Sequence, residues 1–176
     1  RFRSSTESPA EVVLLCDNDL VKRIRIRGTI ASTPTAEGFA PSGSGEILSH
    51  LGLAPMDFTL ETKEILTLDS SNIQPEEWKV IASAIFEGFG SYDGIVVTHG
   101  TDTMAYTAAA MSYLVQHSKK PIVITGAQKP IDLDVTDART NLLDSLRFAS
   151  CERAHGVNIV FDGKVIAGTR GKKERS

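Results

Sequence analysis

Residues 99–103, His-Gly-Thr-Asp-Thr, place an imidazole, two hydroxyls and a carboxylate directly behind a β-branched run, GIVVT at 94–98. In a parallel sheet the loops that follow the strand C-termini are where ligands bind. A neutral hydroxyl is a poor nucleophile, so a hydroxyl gains chemistry only beside a group that polarises it or moves a proton. Asp102 is one such group. A plainer reading competes: Asp or Thr in front of an Ala-rich helix commonly caps its free N–H groups. The concentration of small and polar residues at a strand end favours the functional reading.

Two other segments carry groups of the right type. Asp69-Ser70-Ser71-Asn72 could bind a small anion or amine, or merely lead into the next helix, since Asp and Ser favour caps. Lys172 and Lys173, within GKKERS, could supply an ammonium or form a solvated charge run. His99 is more simply a packed, hydrogen-bonded loop residue than a base. His50, His117 and His155 have no paired metal-ligand spacing, so neither a metal nor a cofactor is expected.

The elements that position these residues are legible in turn. Pro75, with Glu76 and Glu77, marks a helix start, and Trp78, Ile81, Ala82, Ile85 and Phe86 recur at helical spacing as one apolar face. Gly88 and Gly90 end it. The run 94–98 predicts a strand buried on both faces, followed by a helix over 102–117. PIVIT at 121–125 predicts another buried strand, with a loop over 126–135. A helix over 137–150 follows, capped by Asp137, with Leu142, Leu143 and Leu146 inward. VNIVF at 157–161 turns through Asp162-Gly163 into a hairpin strand at 164–167. Strand–helix alternation predicts an α/β fold, a three-layer α/β/α arrangement on a mostly parallel sheet. Upstream, 21–27 (VKRIRIR) alternates like a half-exposed strand. Residues 1–9 look like a loose tail, and 29–45, rich in Gly, Pro, Ser and Thr, like a surface loop.

Bulk properties bound the function. The 176 residues, 41% hydrophobic and 23% charged, suit one sizeable core. A net charge of −3, from 19 basic and 22 acidic residues, gives no global reason to bind nucleic acid or an anionic membrane. Cys16 and Cys151 form no CxxC pair, and no apolar run approaches the roughly 20 residues that span a bilayer. These features point to a soluble cytoplasmic protein.

Residues 94–104 as a unit (GIVVTHGTDTM), with GTIAS at 28–32, DSSN at 69–72, GAQKP at 126–130 and Gly168-Thr169-Arg170 leading to Lys172 and Lys173, resemble the asparaginase family. Their order and spacing match, over about residues 28–176, most closely the cytosolic type I enzymes of bacteria. HGTDTM is a highly specific string; GTIAS and DSSN are weaker. The resemblance implies hydrolysis of L-asparagine to L-aspartate and ammonia. Thr29 would be the nucleophile that becomes acylated. Thr101 would position water, with Asp102 and Lys173 hydrogen-bonded around it. Asp69, Ser70 and Ser71 would hold the substrate's α-carboxylate, and Asp102 its α-ammonium. A homodimer or homotetramer without nucleic-acid or membrane partners is also implied.

The chain departs from the family pattern in three places. Arg27 stands where the first motif has glycine, and four basic residues over 22–27 do not suit a strand buried on both faces. Residues 1–27 are accordingly an atypical segment ahead of a catalytic domain at 28–176. Phe39 is the nearest counterpart of a Tyr that assists the nucleophile in many relatives. The family pattern continues after Lys173 into a smaller C-terminal domain that this sequence does not contain. The expectation is that α-amine recognition and assembly are affected and that this chain is poorly active or inactive. Two alternatives follow: an inactive remnant or amino-acid-binding module, and an asparaginase-like subunit of a tRNA-dependent amidotransferase.

Overall fold

In the computed structural model, residues 10–16, 32–35, 38–41, 58–66, 68–128 and 137–174 are described. Eight strands and three α-helices occur among them: β1 (Ala10–Cys16), β2 (Ser32–Thr35), β3 (Gly38–Pro41), β4 (Phe58–Glu64), α1 (Pro75–Gly88), β5 (Gly94–Thr98), α2 (Met104–Leu114), β6 (Pro121–Thr125), α3 (Ala138–Ala149), β7 (Gly156–Phe161) and β8 (Lys164–Ala167). The main sheet has the order β4-β1-β5-β6-β7-β8. Its first five strands are parallel, and β8 returns antiparallel to β7. β2 and β3 form a separate antiparallel pair.

The sheet is built from short runs that need no polar face. All five residues of β5 and all five of β6 are buried, as parallel strands covered on both sides require. Pro121 opens β6, a position where its missing N–H is tolerated. On one face Ile95, Val97, Ile122 and Ile124 pack with Ile81 and Ile85 of α1 and Met104, Ala108 and Met111 of α2. The helix α3 covers the other face over β5, β6 and β7. Burying each of these large side chains contributes about 1.5–3 kcal/mol. The three-layer α/β/α expectation holds. No helix among the described residues is long and apolar enough to cross a membrane.

The α1 start agrees with the sequence: Pro75 begins it, and the Glu77 carboxylate accepts from the Gln74 N–H at 2.7 Å. Its buried face is shifted from the expected one. Ile81, Ala82, Ala84, Ile85 and Gly88 are inside, whereas Phe86 is 53% exposed and meets Phe89 edge-on. At the end of the helix Gly88 packs against Ile95 of β5, where a Cβ would come within 3.1 Å of Ile95 Cδ1. The α2 helix begins at Met104 and ends at Leu114, shorter than the predicted 102–117. Residues 101–103 form a turn instead, and His117 takes a φ of 57°. In α3, Leu142 and Leu146 are fully buried, while Leu143 is half-buried. The Asp162-Gly163 turn has φ of 52° and 68°, the left-handed pair that a two-residue hairpin demands.

One upstream expectation changes and another falls outside the described residues. The run expected as loop at 29–45 contains the β2–β3 hairpin. The strand beside β5 in the sheet is Ala10–Cys16, paired on its other side with β4. The Arg/Ile alternation over 21–27 lies outside the described residues, as does Arg27 itself. Apolar 12–16 thus fills the sheet position that the basic run suited badly.

Candidate functional site

The site forms where β5 and β6 end. The His99 N–H donates to the Thr125 carbonyl at 2.8 Å, which carries the β5–β6 pairing one residue past the strand. The chain then turns through residues 100–103 into α2. Neither Asp102 nor Thr103 caps that helix with its side chain. The Thr103 hydroxyl donates to the Ser70 carbonyl at 2.7 Å. Lys173 Nζ lies 2.6 Å from Asp102 Oδ1 and 3.2 Å from Thr101 Oγ1. The capping explanation for this loop therefore fails: its polar side chains are committed to distant parts of the chain.

Lys173 reaches the loop from 72 residues away in sequence. The hairpin β7–β8 ends in a 3-10 turn, Gly168–Arg170, packed on α2, and the following residues run alongside that helix. The Lys173 side chain is 23% exposed and that of Asp102 62%. Its ammonium is thus partly withdrawn from water while its counter-charge still faces solvent. Lys172 is exposed, so the solvated-tail reading holds for Lys172 and not for Lys173. A cavity of about 530 Å³ opens beside this pair, bounded by Ala105, Tyr106, Ala109 and the 171–174 segment.

The second wall of the site is the 3-10 turn Ser70–Asn72. The Asp69 carboxylate accepts from the Ser71 N–H at 2.8 Å and caps the turn. Those hydrogen bonds from Ser71 hold the Asp69 carboxyl below its usual value. Asp69 and Ser71 are exposed, whereas Ser70 is 5% exposed and sits directly against Gly100. A Cβ on Gly100 would fall 2.6 Å from Ser70 Cβ, so only glycine lets the two walls approach this closely. The structure therefore brings Ser70, Thr101, Asp102 and Lys173 into one neighbourhood, with Asp69 serving its own turn. Thr29 lies outside the described residues.

Behind the loop is a buried polar layer, in which His99 is the packed, hydrogen-bonded loop residue expected from the sequence. His99, 1% exposed, has Nδ1 2.7 Å from the Gly100 carbonyl and Nε2 2.9 Å from the Thr107 hydroxyl. Burial pushes its pKa down, which favours the neutral imidazole of a packed loop residue. Asn141 Nδ2 donates to the Gly126 carbonyl at 3.0 Å and to Asp137 Oδ2 at 3.1 Å, while its Oδ1 accepts from the Asp162 N–H at 2.9 Å. Asp137 makes no side-chain cap on α3; it also accepts from the Gln128 N–H at 2.9 Å. Asn141 and Ser145 lie on the same stripe as Leu142 and Leu146. Polar residues on a buried stripe were the available signal.

A parallel α/β domain with a Thr-Asp-Lys cluster at its strand ends defines the class. Residues 21–176 match the family described as asparaginase, N-terminal. The chain belongs to the asparaginase family, and the match covers that family's N-terminal domain. It is 44% identical over 151 residues to an L-asparaginase of Thermococcus kodakarensis, covering 85% of this chain and 46% of the relative. L-asparaginase 1 of Escherichia coli K12 is 37% identical over 153 residues, covering 83% and 45%. A glutamyl-tRNA(Gln) amidotransferase chain of Thermoplasma acidophilum is 35% identical over 134 residues, covering 71% and 31%. Among solved structures, the thermostable L-asparaginase of T. kodakarensis superposes with a TM-score of 0.69 at 38% identity, over 91% of this chain and 46% of that one. The chain spans about half the length of the L-asparaginases it matches.

Proposed function

We propose that this domain hydrolyses the side-chain amide of L-asparagine, giving L-aspartate and ammonia through an acyl intermediate on Thr29. The observation that carries this reading is the contact of Lys173 with both Thr101 and Asp102 across 72 residues of sequence. An amide needs an activated hydroxyl and a proton path, and an ammonium beside a hydroxyl favours that hydroxyl's ionised form. In the proposed sequence Thr29 Oγ bonds to the amide carbon, the C–N bond breaks, and ammonia leaves with the proton from Thr29. A water positioned by Thr101 then cleaves the acyl ester and returns the proton to Thr29. Ser70, with the backbone of Asp69 and Ser71, holds the α-carboxylate, and Asp102 receives the α-ammonium.

The reading extends to a cytoplasmic enzyme of the bacterial type I kind, assembled as a homodimer or homotetramer, with no cofactor. A second reading, a component of a tRNA-dependent amidotransferase, is favoured by the Thermoplasma relative at 35% identity. The net charge of −3 offers RNA no overall attraction and favours the first. An inactive amino-acid-binding remnant is the remaining alternative, and Arg27 is the feature that favours it. Thr29→Ala separates them: the enzyme loses turnover while still binding L-aspartate. A parent that binds L-aspartate and never releases ammonia is the remnant.

A further inference from the structure

Three hydrogen bonds link α1 to the site loop through the protein interior. The Trp78 indole N–H donates to Thr107 Oγ1 at 3.0 Å, Thr107 Oγ1 lies 2.9 Å from His99 Nε2, and His99 Nδ1 lies 2.7 Å from the Gly100 carbonyl. The chemistry of the end groups fixes every proton. A carbonyl only accepts, so His99 Nδ1 carries the hydrogen; in a neutral imidazole Nε2 is then the acceptor. Thr107 must donate to Nε2, and its lone pairs receive the indole N–H. Each of the three hydrogen bonds therefore has one fixed direction.

We propose that Trp78, Thr107 and His99 form a positioning relay for the catalytic loop. The peptide whose carbonyl His99 holds is the one whose N–H belongs to Thr101. Fixing that peptide sets where the Thr101 side chain starts, while Thr103 and Gly100 fix the loop's other contacts on Ser70. Thr107 is the hub, because both of its neighbours depend on one hydroxyl. It is buried in α2 with Ala108 beside it, so shape alone could be supplied by valine. Nothing but a hydroxyl can accept from the indole and donate to the imidazole there. The catalytic consequence rests on the amide-hydrolysis reading; the ordering of the loop does not.

The test compares Thr107→Val with Thr107→Ser by amide hydrogen exchange over residues 100–103 and by steady-state turnover of L-asparagine. Loss of the hub is expected to speed exchange in that loop ~10-fold or more, while helix and strand amides keep their protection. It is also expected to lower kcat by a similar factor with little change in KM; serine restores both. Trp78→Phe, which removes the indole donor along with part of the ring and leaves Thr107 and His99 in place, gives a smaller shift of the same kind and serves if the valine variant does not fold. Unchanged exchange in 100–103 together with unchanged kcat overturns the relay, as does a valine defect that serine fails to repair. If the parent turns over no L-asparagine, the amide-hydrolysis reading falls, and loop exchange alone still decides the relay.

Discussion

The two ends of the central strands are built on opposite plans. Where β5 and β6 begin, Gly94 lies against the Ala149 backbone and a single lysine, Lys120, donates to the Phe89 and Tyr92 carbonyls at 2.7 and 2.6 Å. Where they end, Ser70, Thr98, His99, Thr125 and Asn141 are all buried, and among the described residues only the Thr98 hydroxyl is a buried side-chain polar atom without a hydrogen-bond partner. Buried polar groups cost free energy unless they are hydrogen-bonded, and His99, Thr125 and Asn141 each are. At the strand ends these bonds fix loops: His99 the 100–101 peptide, Asn141 the Gly126 carbonyl and the Asp162 turn. At the opening end no buried polar side chain occurs among the described residues. Substitutions at the exit end should therefore act on turnover, and those at the entry end on stability.

The sharpest way to break that contrast is Lys173→Met. Removing the ammonium beside Thr101 should lower asparagine turnover by ~10²–10⁴-fold, with a urea midpoint close to the parent's. A large loss of stability instead would make Lys173 a structural residue. Gly94→Ala should do the reverse: its Cβ would sit 2.9 Å from the Ala149 carbonyl carbon, which has no flexible end to move aside. Overpacking there should cost about 1–3 kcal/mol in denaturant unfolding, with turnover per folded molecule unchanged. Asn141→Leu leaves the Gly126 carbonyl and Asp162 N–H without their partner and should cost about 1–3 kcal/mol. It should slow turnover as well, because it lies on the exit side.

A smaller effect is expected from pH. Burial holds the folded-state pKa of His99 below the usual 6.5, so the unfolded chain takes up this proton first as pH falls. Stability should therefore be unaffected by His99 above about pH 6.5 and decline as pH drops from there toward the folded-state value. His99→Gln should flatten that part of the stability–pH curve. The smallest effect belongs to the exposed pair Lys63–Glu87, at 3.0 Å with side chains 54% and 67% exposed. Lys63→Ala should change stability by ~0.5 kcal/mol or less.

How far the sequence reveals this molecule follows from which signals are local. The strands 94–98 and 121–125, the Pro75 helix start and the Asp162-Gly163 turn are each written in a handful of adjacent residues, and each lies where patterning places it. The loop at 99–103 is legible as a site because small polar residues follow a buried strand. Its union with Lys173 is not, since no periodicity connects positions 72 apart; only the family resemblance joins them. Phe86 misleads because helical spacing defines a stripe but not its edges, and Phe86 falls outside the buried face. Trp78 patterns as an apolar residue, and its indole N–H finds Thr107 through packing that only the fold specifies. Asn141 stands out in the sequence only as a polar residue among inward leucines. The nucleophile assigned to Thr29 lies outside the described residues, so its role stands on the sequence motif.

The most direct measurement is ammonia release from L-asparagine by the purified chain, with Thr101→Ala alongside under the same conditions. Release by the parent that falls by ~10²-fold or more in an equally folded Thr101→Ala is the result expected of a hydrolytic site at the strand ends. No release from the folded parent, or equal release from both proteins, would contradict it.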